Sequence, residues 1–221
     1  MNDYQCKWCS KSFTRERTLS NHVCERKRRW MVAEEAPSRI AFQVWLGFMQ
    51  HVSPHAKKTR SVEDFIRSPD YLSFVKFANY LIELKPADSE NFISWLFKMN
   101  VKITDWSKNG TYAIYVQELC KKETVERAVE RSLITIKEWS EEAGQSWNMF
   151  FESVPTATAA TMIVNGRISP WLLYALPAAQ RLLERMEPGQ LDTVARSIDI
   201  EWWKKKIAKN QQDLEWIATL I

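Results

Sequence analysis

Tyr4-x-Cys6-x2-Cys9-x3-Phe13-x5-Leu19-x2-His22-x-Cys24 stands at the head of the chain, and its spacing decides how the first thirty residues fold. Two cysteines separated by two residues can reach one metal ion from a tight turn. His22 follows Cys9 after twelve intervening residues, at the distance where the first turns of a helix deliver a second pair of ligands. Phe13 and Leu19, with Tyr4 beside them, make a miniature core. So small a core cannot hold a fold alone, and binding of one structural zinc supplies the folding free energy, on the order of 10–16 kcal/mol.

The fourth ligand is the departure. The usual pattern wants a second His after three to five intervening residues, where the chain has Arg26, Lys27 and Arg28, which cannot ligate. Cys24 is the substitute at hand, with His51 or His55 as longer-range alternatives. Residues two apart on a helix point to different sides, so ligation by His22 and Cys24 requires the helix to end or tighten near His22. Up to His22 the segment resembles the common ββα DNA-binding zinc finger, including its aromatic, Phe and Leu positions. That resemblance implies that Arg15, Thr18 and Asn21 face bases, with Arg17 beside them. Arg suits guanine and Asn suits adenine in the major groove. The run Arg26-Lys27-Arg28-Arg29 then adds phosphate contacts, which raise affinity without reading sequence.

Charge is distributed to match. Residues 1–30 carry eight Lys/Arg against three acids, a net of +5, while the whole chain is +4, so the remaining residues are close to neutral at −1. The basic excess is confined to the finger and its tail, the footprint of a nucleic-acid contact in one module.

Beyond a linker at 31–37 the periodicity is helical, and 38–221 reads as one irregular all-helical domain. The fold class is therefore mainly α, with a small N-terminal ββα-like finger. Ile40, Phe42, Val44, Trp45, Phe48, Met49 and Val52 mark a first apolar helix stopped by Pro54, before a basic loop at 55–60. Ser61-Val62-Glu63-Asp64 resembles a capping box. Tyr71, Phe74, Phe77, Ala78 and Leu81 share the face of another helix, and Phe92, Ile93, Leu96 and Phe97 that of a third. Residues 99–110 read as a polar bend. The longest helix follows Thr124, with Val125, Ala128, Val129, Ser132, Leu133, Ile136 and Trp139 at spacings of three and four, and Gly144 as its stop. Shorter helices follow to Met186, and Gly189 separates them from the C-terminal part. There Ile200, Trp203, Ile207, Leu214, Ile217 and Ile221 keep one stripe over three heptads, with Asn210 in the seam. Trp202, Trp216 and Leu220 add a second apolar face. Two faces imply deep burial or contact with another protein, and for contact the candidates are Leu214, Trp216, Ile217, Leu220 and Ile221.

Several classes are excluded or weakened. No apolar run approaches the ~18 residues of a membrane span. Met1–Tyr4 lacks the apolar stretch of a signal peptide. Cys120 stands alone in a helix and reads as a small buried apolar residue. These features describe a soluble, cytoplasmic chain. It has no nucleotide-binding glycine loop, no His-Glu-x-x-His and no Gly-x-Ser-x-Gly elbow, and it is read as a non-enzyme. Glu138, Glu141 and Glu142 form a solvated face, and Asn165–Trp171 a turn leading into a helix at Pro170.

The finger closing His22-Val23-Cys24-Glu25, followed by Arg-Lys-Arg-Arg-Trp, is similar to short N-terminal fingers on accessory proteins of large T-even-type tailed phages. The stretch from Phe42 to about Lys122 resembles the replicative helicase loaders of those phages. It shares an aromatic helix ending Phe48-Met49-Gln50-His51, then Asp70-Tyr71-x2-Phe74-Val75-Lys76-Phe77, Phe92-Ile93-Ser94-x-Leu96 and Asp105-Trp106. The resemblance implies a helical, non-enzymatic protein of an infected bacterial cytoplasm that binds DNA and replication or transcription proteins. An adaptor on RNA polymerase or a sliding clamp without direct DNA binding is the alternative, and a zinc-bearing nuclease a second.

Overall fold

The computed structural model describes residues 4–56 and 59–220. Lys57 and Lys58 of the basic loop, and Ile221, lie outside the described residues. The described chain is mainly α-helical, with one two-stranded antiparallel ribbon near its start. Strands β1 (Tyr4–Gln5) and β2 (Ser12–Phe13) pair with Tyr4 opposite Phe13. Helices α1 (Glu16–Ser20) and α2 (Glu25–Met31) follow. The ribbon and α1 make the ββα finger expected from the spacing.

The chain divides into two compact units, residues 1–83 with 96–107, and residues 84–95 with 108–221. This division does not follow the boundaries read from the sequence. The finger belongs to the first unit together with the helices after it, and the expected linker is largely a short turn at 32–35 following α2. Periodicity reports which face of a helix is buried and not which neighbour buries it.

In the first unit, α3 (Ala36–Val52) carries Pro37 in its first turn, where a missing N–H costs nothing. Helix α4 (Val62–Arg67) has the capping box: Asp64 N–H donates to Ser61 Oγ at 3.2 Å, and Ser61 N–H to the Asp64 carboxylate at 2.9 Å. Helix α5 (Tyr71–Leu84) buries the five residues its periodicity marks. The core of this unit is aromatic and centres on Trp106, which is fully buried. Its ring lies 5.7, 5.5, 5.2 and 5.6 Å from those of Phe48, Phe74, Phe77 and Phe97, and its Nε1 donates to the Val101 carbonyl at 2.9 Å. Residues 99–110 are therefore not a polar bend. The tight turn Ile103–Asp105 drives one tryptophan into the core, and the next helix already begins at Asn109. A single large side chain has no periodicity to reveal it.

Helix α6 (Ser89–Lys98) precedes that turn. The second unit continues with α7 (Asn109–Lys122), α8 (Val125–Ala143), α9 (Phe150–Ser153), α10 (Thr156–Val164), α11 (Pro170–Ala175), α12 (Pro177–Glu184), α13 (Pro188–Ser197), α14 (Ile200–Ala208) and α15 (Gln211–Leu220). Thr124 caps α8 and Gly144 ends it at φ +62°. Ser132 on α8 is fully buried; its hydroxyl donates to the Ala128 carbonyl at 2.8 Å and accepts the Ser169 N–H at 2.9 Å. That pair docks the start of α11 onto α8. Gly189 lies inside the first turn of α13 and is not a separator, because the Glu187–Gln190 capping box and Pro188 start a helix there.

The C-terminal stripe is also broken. Helix α14 stops at Ala208 and α15 starts at Gln211, with the Asn210 side chain donating back to the Lys206 carbonyl at 2.6 Å. Asparagine competes for the backbone here and ends the helix, so no three-heptad seam exists. Trp203 and Ile217 are buried, and α15 packs on α11.

Candidate metal centre

The ribbon sets the first two ligands. Cys6 N–H donates to the Lys11 carbonyl at 2.9 Å and Ser10 N–H to the Cys6 carbonyl at 2.8 Å. Ser10 takes φ +60° to close the turn, which leaves Cys6 and Cys9 on its inner side. Helix α1 ends at Ser20. Asn21 and His22 close it with N–H bonds to the Arg17 and Leu19 carbonyls. The chain then leaves the helix until Cys24, which is the extended N-cap of α2 at φ −86°, ψ 166°. This ending of the helix is what a His-x-Cys pair requires, since both side chains can now turn to one side.

The donor atoms of Cys6, Cys9, His22 and Cys24 all lie within 4.8 Å of one another, and Cys9 Sγ is 3.3 Å from His22 Nε2. A tetrahedral zinc with bonds of ~2.0–2.3 Å holds its ligands roughly 3.5–4 Å apart, so the set has the size of a single-ion site. Three sulfurs and one imidazole suit a borderline-soft ion. His51 is not in this group; its ring stacks on Phe97 at 5.5 Å, and Cys24 occupies the fourth place.

The electrostatics within the set are those of crowded thiols. Burial opposes ionisation of Cys6, but N–H groups of Cys9 and Trp8 and the neighbouring thiols outweigh it and hold this thiol below its ordinary range. At Cys9 the Lys11 N–H favours the thiolate, yet burial and the sulfurs of Cys6 and Cys24 push it up. A cation among them removes that mutual repulsion. Three thiolates and one divalent ion leave a net charge of −1, which nearby bases offset. Lys27 Nζ, for example, donates to the His22 carbonyl at 3.2 Å.

The basic residues separate into different groups. Arg15, Arg17, Thr18 and Asn21 are all exposed along α1 and its caps, a helix little more than one turn long. The run 26–29 is not an extended tail. It forms the body of α2, where successive residues are turned by ~100°, so the four side chains radiate around the helix. Arg26 and Arg28 are exposed. Arg29 turns inward: it donates to the Ile66 carbonyl at 2.9 Å, pairs with Glu25 at 3.1 Å and lies over the Tyr71 ring. It holds α2 to α4 and α5, and its side chain is only 16% exposed, so it is not a surface phosphate contact.

Two aromatic residues of this region carried no signal in the motif. Trp8, in the turn between the cysteines, packs against Trp30 of α2 with ring centroids 4.9 Å apart. Lys7 Nζ lies 4.8 Å from the Trp8 centroid, and Arg26 donates to the Trp8 carbonyl at 3.3 Å. Trp30 is 44% exposed.

Of the C-terminal candidates, Ile217 is fully buried and is core, Leu214 is half-buried, and Trp216 and Leu220 are exposed. Cys120 is buried on α7, and burial pushes its thiol up to about 12. Glu138 pairs with Arg167 at 2.6 Å.

Comparison with family models, with curated proteins and with solved structures found no match to this chain. Among the described residues, no helix is long and apolar enough to cross a membrane.

Proposed function

We propose that this protein binds nucleic acid through an N-terminal zinc finger, as an accessory factor of phage DNA metabolism in replication, recombination or transcription. The observation that carries the reading is the closure of Cys6, Cys9, His22 and Cys24 into one site within a module that also holds the whole basic excess of the chain. A structural zinc fixes the ribbon and α1, and so fixes the cations on them in space. The helical remainder acts as the partner-binding part. The phage assignment rests on the resemblance of the finger and of Phe42–Lys122 to phage proteins, and DNA rather than RNA rests on the same ground.

Binding of labelled DNA to the full-length, zinc-loaded protein across a range of salt tests this. Affinity should fall steeply with salt, with a log–log slope of about 0.9 per phosphate contact on duplex. Chelation of the metal should abolish binding. Salt-independent binding or none would favour the adaptor reading, for which the exposed Trp216 and Leu220 beside the buried Ile217 are the surface to examine.

A further inference from the structure

Trp30 and Trp8 form an aromatic surface beside the metal set that neither zinc binding nor the core of the first unit requires. Trp30 leaves 44% of its surface in water although it is one of the largest apolar side chains in the chain. It is braced from behind by Trp8, at 4.9 Å between centroids and 39° between planes. Two cations flank the pair: Lys7 on the Trp8 ring, and Arg26, one helical turn before Trp30, on the Trp8 carbonyl.

An indole face flanked by positive charge is complementary to one kind of surface in particular. The bases of a duplex already stack on each other and present only edges in the grooves, so they offer no ring face to a tryptophan. Unstacked bases do offer one, and their phosphates meet the flanking lysine and arginine. We infer that the Trp8–Trp30 pair is a base-stacking platform for single-stranded nucleic acid, with Lys7 and Arg26 holding the backbone beside it. This rests on the nucleic-acid reading above and specifies the form of its ligand. In it Trp30 is the contact surface and Trp8 its support. The edges read by Arg15, Thr18 and Asn21 belong to the competing duplex mode.

The test uses the full chain with zinc bound and a labelled single strand of about 20 nucleotides, beside the matching duplex. The wild type should prefer the single strand. Trp30→Ala should weaken single-strand binding about tenfold and leave duplex binding unchanged, and Trp30→Phe should restore most of the loss. Zinc content and thermal melting of each variant establish that the finger is intact. Should Trp30→Ala lose its zinc, photocrosslinking of the wild type to a halogenated single strand, with mass-spectrometric mapping, takes its place, and the crosslink should fall on Trp30 or Trp8. Unchanged single-strand affinity in a folded Trp30→Ala variant, or crosslinks confined to other residues, overturns the inference. So does preference for duplex that is lost on changing Arg15 and Asn21, which leaves the nucleic-acid reading standing. Binding of neither form overturns both.

Discussion

The Arg29 guanidinium lies 4.5 Å from the centroid of the Tyr71 ring, while the same side chain donates to the Ile66 carbonyl. A base from the run that would be assigned wholly to phosphate contact is thereby part of the packing of the first unit. Arg29→Ala should cost roughly 2 kcal/mol, the scale of a charge-assisted hydrogen bond to a half-buried carbonyl. Denaturant melts measure this. In the same preparation the salt slope of DNA binding should stay near that of the wild type. Neutralising Arg26 and Arg28 together should do the reverse, leaving stability nearly unchanged and lowering the slope.

One zinc per chain is expected by elemental analysis, lost in Cys6→Ser and Cys9→Ser and weakened in Cys24→Ser. Thiol counting gives a second readout. With metal bound, no thiol should react quickly, because three are ligands and Cys120 is buried with its thiolate disfavoured. A chelator should expose three, and denaturant the fourth. Full occupancy in Cys24→Ser would return the fourth position to a histidine.

Gly166 adopts φ +72°, and a Cβ built there would lie 2.9 Å from Val116 Cγ1. Gly166→Ala meets both an unfavourable backbone region and a close neighbour on α7. A loss of about 1–3 kcal/mol is expected in thermal or denaturant unfolding. Gly110, whose surroundings are open and whose φ is ordinary, is the control: Gly110→Ala should be neutral or slightly stabilising.

On α15, Ile217→Ala should destabilise the second unit by about 2–4 kcal/mol, since its side chain is fully buried. Trp216→Ala and Leu220→Ala should leave stability close to wild type, as both are substantially exposed. If either of these surface changes abolishes capture of a partner protein while the fold persists, the outer face of α15 is the interaction surface.

Asp199 accepts Lys121 Nζ at 2.7 Å and caps α14 through the Trp202 N–H at 3.2 Å. The Lys121 bond, and after it the Trp202 N–H, hold its carboxyl below the usual aspartate range. The unfolded chain therefore takes up this proton more readily than the folded one. The contribution of Asp199 is present above the ordinary aspartate range and is lost as pH falls through the depressed folded value. Thermal midpoints measured between about pH 3 and 6 should fall toward acid in the wild type and fall less steeply in Asp199→Asn.

The metal set was readable because its signal is local. Four ligand residues lie within nineteen positions, and the chemistry of sulfur and imidazole leaves few other uses for them. The break after α1 followed from the same spacing, since His22 and Cys24 cannot share a helix face. Capping signals were equally local: Ser61 with Asp64, Thr124, Pro170 and Gly144 each act through groups a few residues away. Trp106 and Arg29 were not legible. Each meets partners tens of positions distant, and neither the polarity of residues 99–110 nor the basic run hints at burial.

The sequence by itself determined the finger, its cluster of three cysteines and one histidine, the helical class and the helix ends marked by Ser61, Thr124, Gly144 and Pro170, because those depend on spacing and on hydrogen bonds within a turn or two. Only the tertiary structure decided where the units divide, that Arg29 faces inward while Trp30 faces water, and that Asn210 splits the C-terminal stripe into two helices with Ile217 in the core. These outcomes depend on which surfaces meet across long separations, and a periodic pattern of apolar residues specifies the face without specifying the partner.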